Sequence, residues 1–335
     1  MANVSWLLPL LIAIVAIAAS CYTRFWQSSH PVTTTQEQHK ENGPPASPYN
    51  EDEIVQLMKD IYRTYLKLNY IKRWELVWPP AGGHAINEAL CEELRLNPAV
   101  ISLMKKLPYI SDYSTTKDIE FYTYSRAMVY LEDDEIRGGR DPTFFEFQEP
   151  RLFHLLPHDI TLICDGYEGS NIILDTRENT IRVEDFHDFP PGRDAPPDYH
   201  VHHPPERPDD EDHYRNFYPH HAPTWLASWL QKIRSLDVVP VIYGGYRSLY
   251  TEEQEDGAVV KRILQEKYGY PDNFREDEWR RVGRSICWQA GHCSLDKHEV
   301  PDTFEVDPRK EEEEARQWSE TVAYAEEIDG PRTGL

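Results

Sequence analysis

The side chains best suited to chemistry crowd one stretch of the chain. His187, His200, His202, His203, His213, His220 and His221 lie in a segment that is also dense in Asp and Pro. Imidazole is the commonest transition-metal ligand, and His200-x-His202-His203 is spaced to bring two rings to one ion. Those residues are the candidate metal ligands of a metal-dependent hydrolase built on 187–221. A hydrolytic centre needs its ligands on rigid elements with supporting neighbours. Pro190, Pro191, Pro196, Pro197, Pro204, Pro205 and Pro208 instead mark a long solvated loop from His187 to Pro223. The expectation is an exposed segment in which no three histidines converge.

Other chemistry-bearing groups are sparser. Cys287-x4-His292-Cys293, with His298 beyond, has zinc-compatible ligand types at a spacing that matches no standard finger. Free thiols are the simpler reading. Asp165 and Asp175 flank turns and could pair as acid and base, but turn aspartates commonly bond their own backbone. The chain holds no Gly-x-x-x-x-Gly-Lys, Gly-x-Gly-x-x-Gly, Gly-x-Ser-x-Gly or His-Glu-x-x-His motif. No catalytic residue is assigned and no cofactor is expected.

The elements that would position these groups read as α+β. Ile54, Leu57, Ile61, Tyr65 and Leu68 recur at helical spacing after Asn50, a plausible N-cap. A second helical stretch covers about Ala85 to Arg95, and Pro98 restarts it through Lys106. Glu120 to Leu131 has strand composition, followed by a turn at Gly138-Gly139. Ile160 to Cys164, Asn171 to Asp175 and Thr180 to Glu184, separated by short polar turns, predict an antiparallel meander. Thr224, as N-cap, opens an amphipathic helix to Leu236 with Trp225, Trp229 and Ile233 on one side. Val238 to Tyr243 reads as a strand, and helices follow at about Glu252 to Tyr268 and Arg275 to Ile286. Helices, then strands, then helices predict an antiparallel meander sheet flanked by helices.

Composition bounds the setting. The chain has 335 residues, is 40% hydrophobic and carries a formal charge of −23. An acidic surface repels phosphate backbones, so nucleic acid is not an expected partner, and a docking protein should be basic. The 5 cysteines are too few and unevenly spread for a secreted disulfide scaffold. Val4 to Tyr22 lacks charge and, as a helix, would span about 28 Å, close to the bilayer's hydrocarbon thickness. Trp6 stands at one end and Tyr22, Phe25 and Trp26 at the other, as in an aromatic belt. Arg24 follows the run, which favours a retained single-pass anchor with the body in the cytosol. Ala16-Ile17-Ala18 keeps signal cleavage, and a secreted or luminal body, as the rival. The predicted organisation is a membrane segment at 1–26, a flexible stalk at 27–49, one globular domain at 50–300 and an acidic tail at 301–335.

Leu155-Leu156-Pro157-His158-Asp159-Ile160, then Gly169 through Arg177, then Ile181-Arg182-Val183, resembles uncharacterised fungal proteins with one predicted membrane segment. More distantly it resembles the SUKH superfamily, which includes fungal cell-wall-assembly regulators and bacterial toxin-immunity proteins. Its domains share an N-terminal helix, a strand ending in an Asp-Thr turn, and a later helix carrying a Trp-Leu or Phe-Leu pair. Ile173-Leu174-Asp175-Thr176 and Trp225-Leu226 occupy those places, within a match from Leu90 to Pro240 that lacks the usual early Asn-Gly-Gly. The resemblance implies a protein-binding scaffold without catalytic residues. A membrane-tethered, non-catalytic interaction domain is therefore the favoured reading.

Overall fold

The structure is a computed structural model that describes residues 47–111, 119–142, 150–165, 169–185, 213–243, 246–251 and 254–292. Helix α1 is Glu51–Lys67, followed by strand β1 (Leu76–Val77), α2 (Glu88–Glu93), α3 (Pro98–Lys106), β2 (Tyr109–Ile110), β3 (Ser125–Ala127) and α4 (Asp133–Gly138). Strands β4 (Asp159–Asp165), β5 (Ser170–Asp175) and β6 (Thr180–Asp185) come next. A 3-10 turn, Tyr214–Asn216, precedes β7 (His220–His221), α5 (Ala222–Ser235), β8 (Val238–Tyr243), β9 (Tyr246–Thr251), α6 (Glu255–Glu266) and α7 (Glu276–His292). The architecture is α+β with antiparallel sheets flanked by helices, as the element order predicts.

Local signals account for the helix starts. Asn50 accepts a hydrogen bond from the Glu53 backbone N–H, and Glu51, Asp52 and Glu53 stand in the positive first turn of α1. Asn97 caps α3 in the same way, with Pro98 just inside, where a missing N–H costs nothing. The periodic residues Ile54, Ile61 and Tyr65 are buried, and α1 packs them against α5.

β3-β4-β5-β6-β7 form one antiparallel five-stranded sheet. Because strand side chains alternate, the register defines two unlike faces. Ile160, Leu162, Ile172, Leu174 and Ile181 face the main core with α1 and α5. Asp159, Thr161, Asn171, Ile173, Asp175, Thr180, Arg182 and Glu184 make up the opposite face. Alternation of this kind normally puts the polar face in water. Here every one of those residues is buried. Leu155 and Tyr214 pack on Ile173 in a second small apolar cluster, so the polar face is roofed.

Several expectations are corrected. Of Glu120 to Leu131, only Ser125–Ala127 is a strand, and Gly138-Gly139 ends helix α4 rather than making a free turn. The helix predicted over 85–95 is confined to Glu88–Glu93. Helix α5 starts at Ala222 with His221 at its N-cap position, because Thr224 turns its hydroxyl to the His221 ring instead. Tyr246–Thr251, for which no strand is expected from the sequence, pairs with β8 along its whole length as a hairpin. Its apolar positions alternate too unevenly to stand out, and β8 decides the pairing. Among the described residues no helix is long and apolar enough to cross a membrane, and Val4 to Tyr22 lies outside them.

Gly139 sits where a Cβ would lie 2.4 Å from the Tyr130 ring. That ring is buried and its hydroxyl donates to the Thr161 carbonyl at 2.6 Å, so it has no room to retreat. Gly139→Ala is expected to destabilise the fold by about 1–3 kcal/mol, the usual cost of overpacking. A shift in the urea midpoint at constant m-value would measure it.

Candidate functional site

The most concentrated chemistry among the described residues lies under that roof. Asp159 opens β4 and Asp175 closes β5, and the antiparallel register sets them directly opposite each other. Like charges in that position repel, so the pair needs compensation. The β5–β6 turn supplies part of it. Asp175 Oδ1 accepts from the backbone N–H groups of Arg177 at 2.8 Å and Glu178 at 2.9 Å, an Asx-type turn completed by Asn179 at φ 56°. The turn reading of Asp175 therefore holds, and its second oxygen has a further use.

That oxygen, Oδ2, receives Arg215 Nη1 at 2.6 Å, and the same nitrogen lies 3.4 Å from Asp159 Oδ2. Arg215 is carried by the 3-10 turn, whose N-cap His213 ring accepts the Arg215 backbone N–H at 3.3 Å. Tyr214 donates its hydroxyl to Asp159 Oδ2 at 2.5 Å and accepts the Leu156 N–H at 2.9 Å. Arg182 Nη1, from β6, stands 3.9 Å from Asp175 Oδ2. Arg140 reaches under the sheet to the carbonyl of Asp159 at 2.8 Å and that of Leu156 at 3.0 Å. His158 Nε2 completes the cluster, 3.7 Å from both Asp159 Oδ1 and Asp175 Oδ2.

The two carboxyls are unlike. Burial pushes Asp159 up to about 7, with the charge of Asp175 adding to it against the pull of Arg215, Tyr214 and Arg182. Burial also acts upward on Asp175, but the Arg215 hydrogen bond and charge outweigh it and hold this carboxyl below its ordinary value. Burial and the Asp159 charge together hold the Tyr214 hydroxyl in its protonated, donating form.

His158, Asp159 and Asp175 each offer one donor atom, all within 4.8 Å of one another. That is a possible donor set for a divalent cation. Two guanidinium groups already face it, however, and a doubly charged ion beside Arg215 and Arg182 would meet strong repulsion in a poorly screened interior. The two carboxyls already have cationic neighbours in Arg215 and Arg182 without a metal. The cluster is best described as a buried ionic lock that fastens the 213–217 segment to three strands.

The predicted site residues fare differently. His200, His202 and His203 lie outside the described residues, as do His187, Cys293 and His298. The part of the His187 to Pro223 stretch that is described contradicts an exposed loop: His213, Tyr214, Arg215 and Asn216 are buried. An ionic partner under a closed sheet face outweighs the local Pro-rich composition there. The His213 ring packs on His154 and Tyr214, while His220 and His221 stand on β7. Asp165 lies at the far end of β4 from Asp175, opposite Ser125, so the acid pair that forms is Asp159 with Asp175. Cys91, Cys164 and Cys287 are unbridged, and burial pushes the Cys287 thiol up to about 11, away from reactive thiolate.

A second polar chain joins Ser47 Oγ to His221 Nε2 at 2.7 Å and His221 Nδ1 to Thr224 Oγ1 at 2.8 Å. The order imitates a nucleophile, base and orienting group. Thr224 offers no charge to stabilise an imidazolium, and Asn179 Nδ2 also donates to the exposed Ser47 oxygen at 3.0 Å. The arrangement tethers the chain ahead of α1 to β7 and α5. Sequence reasoning missed both Arg215 and this tether, since neither has a local signature. Comparison with protein-family models, with curated proteins and with solved structures finds no match to this chain.

Proposed function

We propose that this protein is a membrane-tethered, non-catalytic interaction domain that docks a basic protein partner through its acidic surface. The observation that carries the reading is the chain's large excess of acidic over basic residues. Each buried carboxylate among the described residues has an internal partner. Glu75 meets Arg247, Asp141 meets Arg151, Asp159 and Asp175 share Arg215, and Glu184 accepts from Asn171. The full chain nevertheless carries a formal charge of −23, an excess of acid over base that would draw a basic partner over a distance. The half-exposed rings of Trp74 and Trp78 add the kind of residue that anchors protein contacts. Tethering rests on the uncharged Val4 to Tyr22 run, and a cytosolic body rests on Arg24 beyond it.

Cross-linking in native membranes, followed by binding of the purified partner at rising salt, tests this reading. The expected result is a partner with a basic face whose association slows steeply with ionic strength. Salt-independent binding, or an acidic partner, would count against it. Metal analysis of the purified full chain addresses the competing hydrolase. The expected result is no stoichiometric metal. One equivalent of zinc or iron, lost in His202→Ala/His203→Ala, would replace the interaction reading with the enzymatic one.

A further inference from the structure

Among the buried atoms of the lock that no neighbour serves, one is a carboxylate oxygen. Asp159 is fully buried, and its Oδ2 takes the Tyr214 hydroxyl, but no hydrogen-bond donor reaches its Oδ1. An ionised carboxylate with one bare buried oxygen is costly, and a proton placed on that oxygen removes most of the cost. Tyr214 leaves the proton a place, because its hydroxyl already accepts from Leu156 and donates to Oδ2.

We propose that Asp159 is the proton-operated element of a clamp: a proton on Oδ1 keeps the Tyr214–Asn216 turn docked on the polar face of the sheet, and losing it loosens the turn. This inference is independent of the interaction reading above. Every charged group around the carboxyl enters the balance. Asp175 faces it from β5 and favours the proton, whereas Arg182 on β6 and Arg215 on the turn oppose it. His158, beside it in the chain, faces the same oxygen, so a charge on that ring would also oppose the proton. Glu178 lies beyond Arg215, 3.5 Å from its Nη2, and draws on that guanidinium from the solvent side. Arg140 bonds the backbone carbonyls of Leu155, Leu156 and Asp159, so it holds the backbone without serving Oδ1.

The direction follows from linkage. Undocking opens the carboxyl to water, where it ionises near the ordinary value of about 4. In the docked state it keeps its proton up to about 7. Docking is therefore favoured at the acid end of that interval and weakens as pH rises through it, by up to about tenfold per pH unit for one proton. Above the docked value the loss is complete and the dependence levels off.

Hydrogen exchange of the full chain between pH 5.5 and 8.5, corrected for the intrinsic pH dependence of exchange, reads the clamp directly. The Asn216 and Phe217 amides bond within the turn and the Leu156 amide bonds Tyr214, so all three report docking. Protection at these amides is expected to fall as pH rises toward neutrality, while amides inside α1 keep theirs. In Asp159→Asn, which fixes a neutral group of the same shape, the pH dependence is expected to vanish. An equal slope in Asp159→Asn, or none in the natural protein, would overturn the clamp. If the variant does not fold, infrared spectroscopy of the natural chain decides instead. A buried protonated-carboxyl band that disappears near neutrality supports the proposal, and no such band between pH 5 and 6 rejects it.

Discussion

Arg215→Ala is expected to destabilise the domain by about 3–5 kcal/mol, the cost of leaving buried charge without its counter-charge. The guanidinium is itself buried and is the only cation within 3.5 Å of both Asp159 and Asp175 among the described residues. Its removal leaves two opposed carboxyls on neighbouring strands with Arg182 at 3.9 Å from one of them. The loss should be larger at pH 7 than near pH 3, below the ordinary carboxyl value of about 3.8. Arg215 is what holds Asp175 below its ordinary value, so the stability it provides is present above that value and fades as pH falls and the carboxyl takes a proton. Chemical denaturation at the two pH values measures both effects. Adding Asp159→Asn and Asp175→Asn to Arg215→Ala should recover part of the loss, because neutral amides need no counter-charge. A triple variant no more stable than the single one would show that Arg215 acts through packing instead.

Trp279→Ala is expected to cost about 3–5 kcal/mol, the range for emptying a buried indole site. The ring is 2% exposed, and its Nε1–H donates at 2.8 Å to the Leu68 carbonyl at the C-terminal end of α1. Tyr268 packs against it edge-on with centroids 5.3 Å apart. Gly283, one turn further along α7, makes the close fit possible, since a Cβ there would stand 2.7 Å from Cε2. The indole thus ties the last described helix to the first, and its loss opens a cavity and strips a helix-end carbonyl of its partner. Trp279→Phe keeps most of the volume and loses the hydrogen bond, so it should cost clearly less. Thermal unfolding of the two variants ranks them. Equal losses would assign the effect to the hydrogen bond alone.

Local sequence determined much of this fold. Strand-length apolar runs separated by short polar turns specified β4, β5 and β6 as an antiparallel meander, because alternation and turn chemistry act over a few residues. Asn50 announced its helix for the same reason, since a cap bonds an N–H two or three residues away. The alternation even separated an apolar from a polar sheet face. What it could not contain was the covering of the polar face. Local polarity predicts a face in water and a Pro- and His-rich loop in solvent, and both are overruled where Arg215 bridges carboxyls 40 and 56 residues away. The register that sets Asp159 rather than Asp165 against Asp175 is likewise a property of two strands together, as is the pairing that makes Tyr246–Thr251 a strand. Charge compensation across a buried face depends on which groups meet in space. It exists only once distant segments have packed, so tertiary structure alone decided the lock.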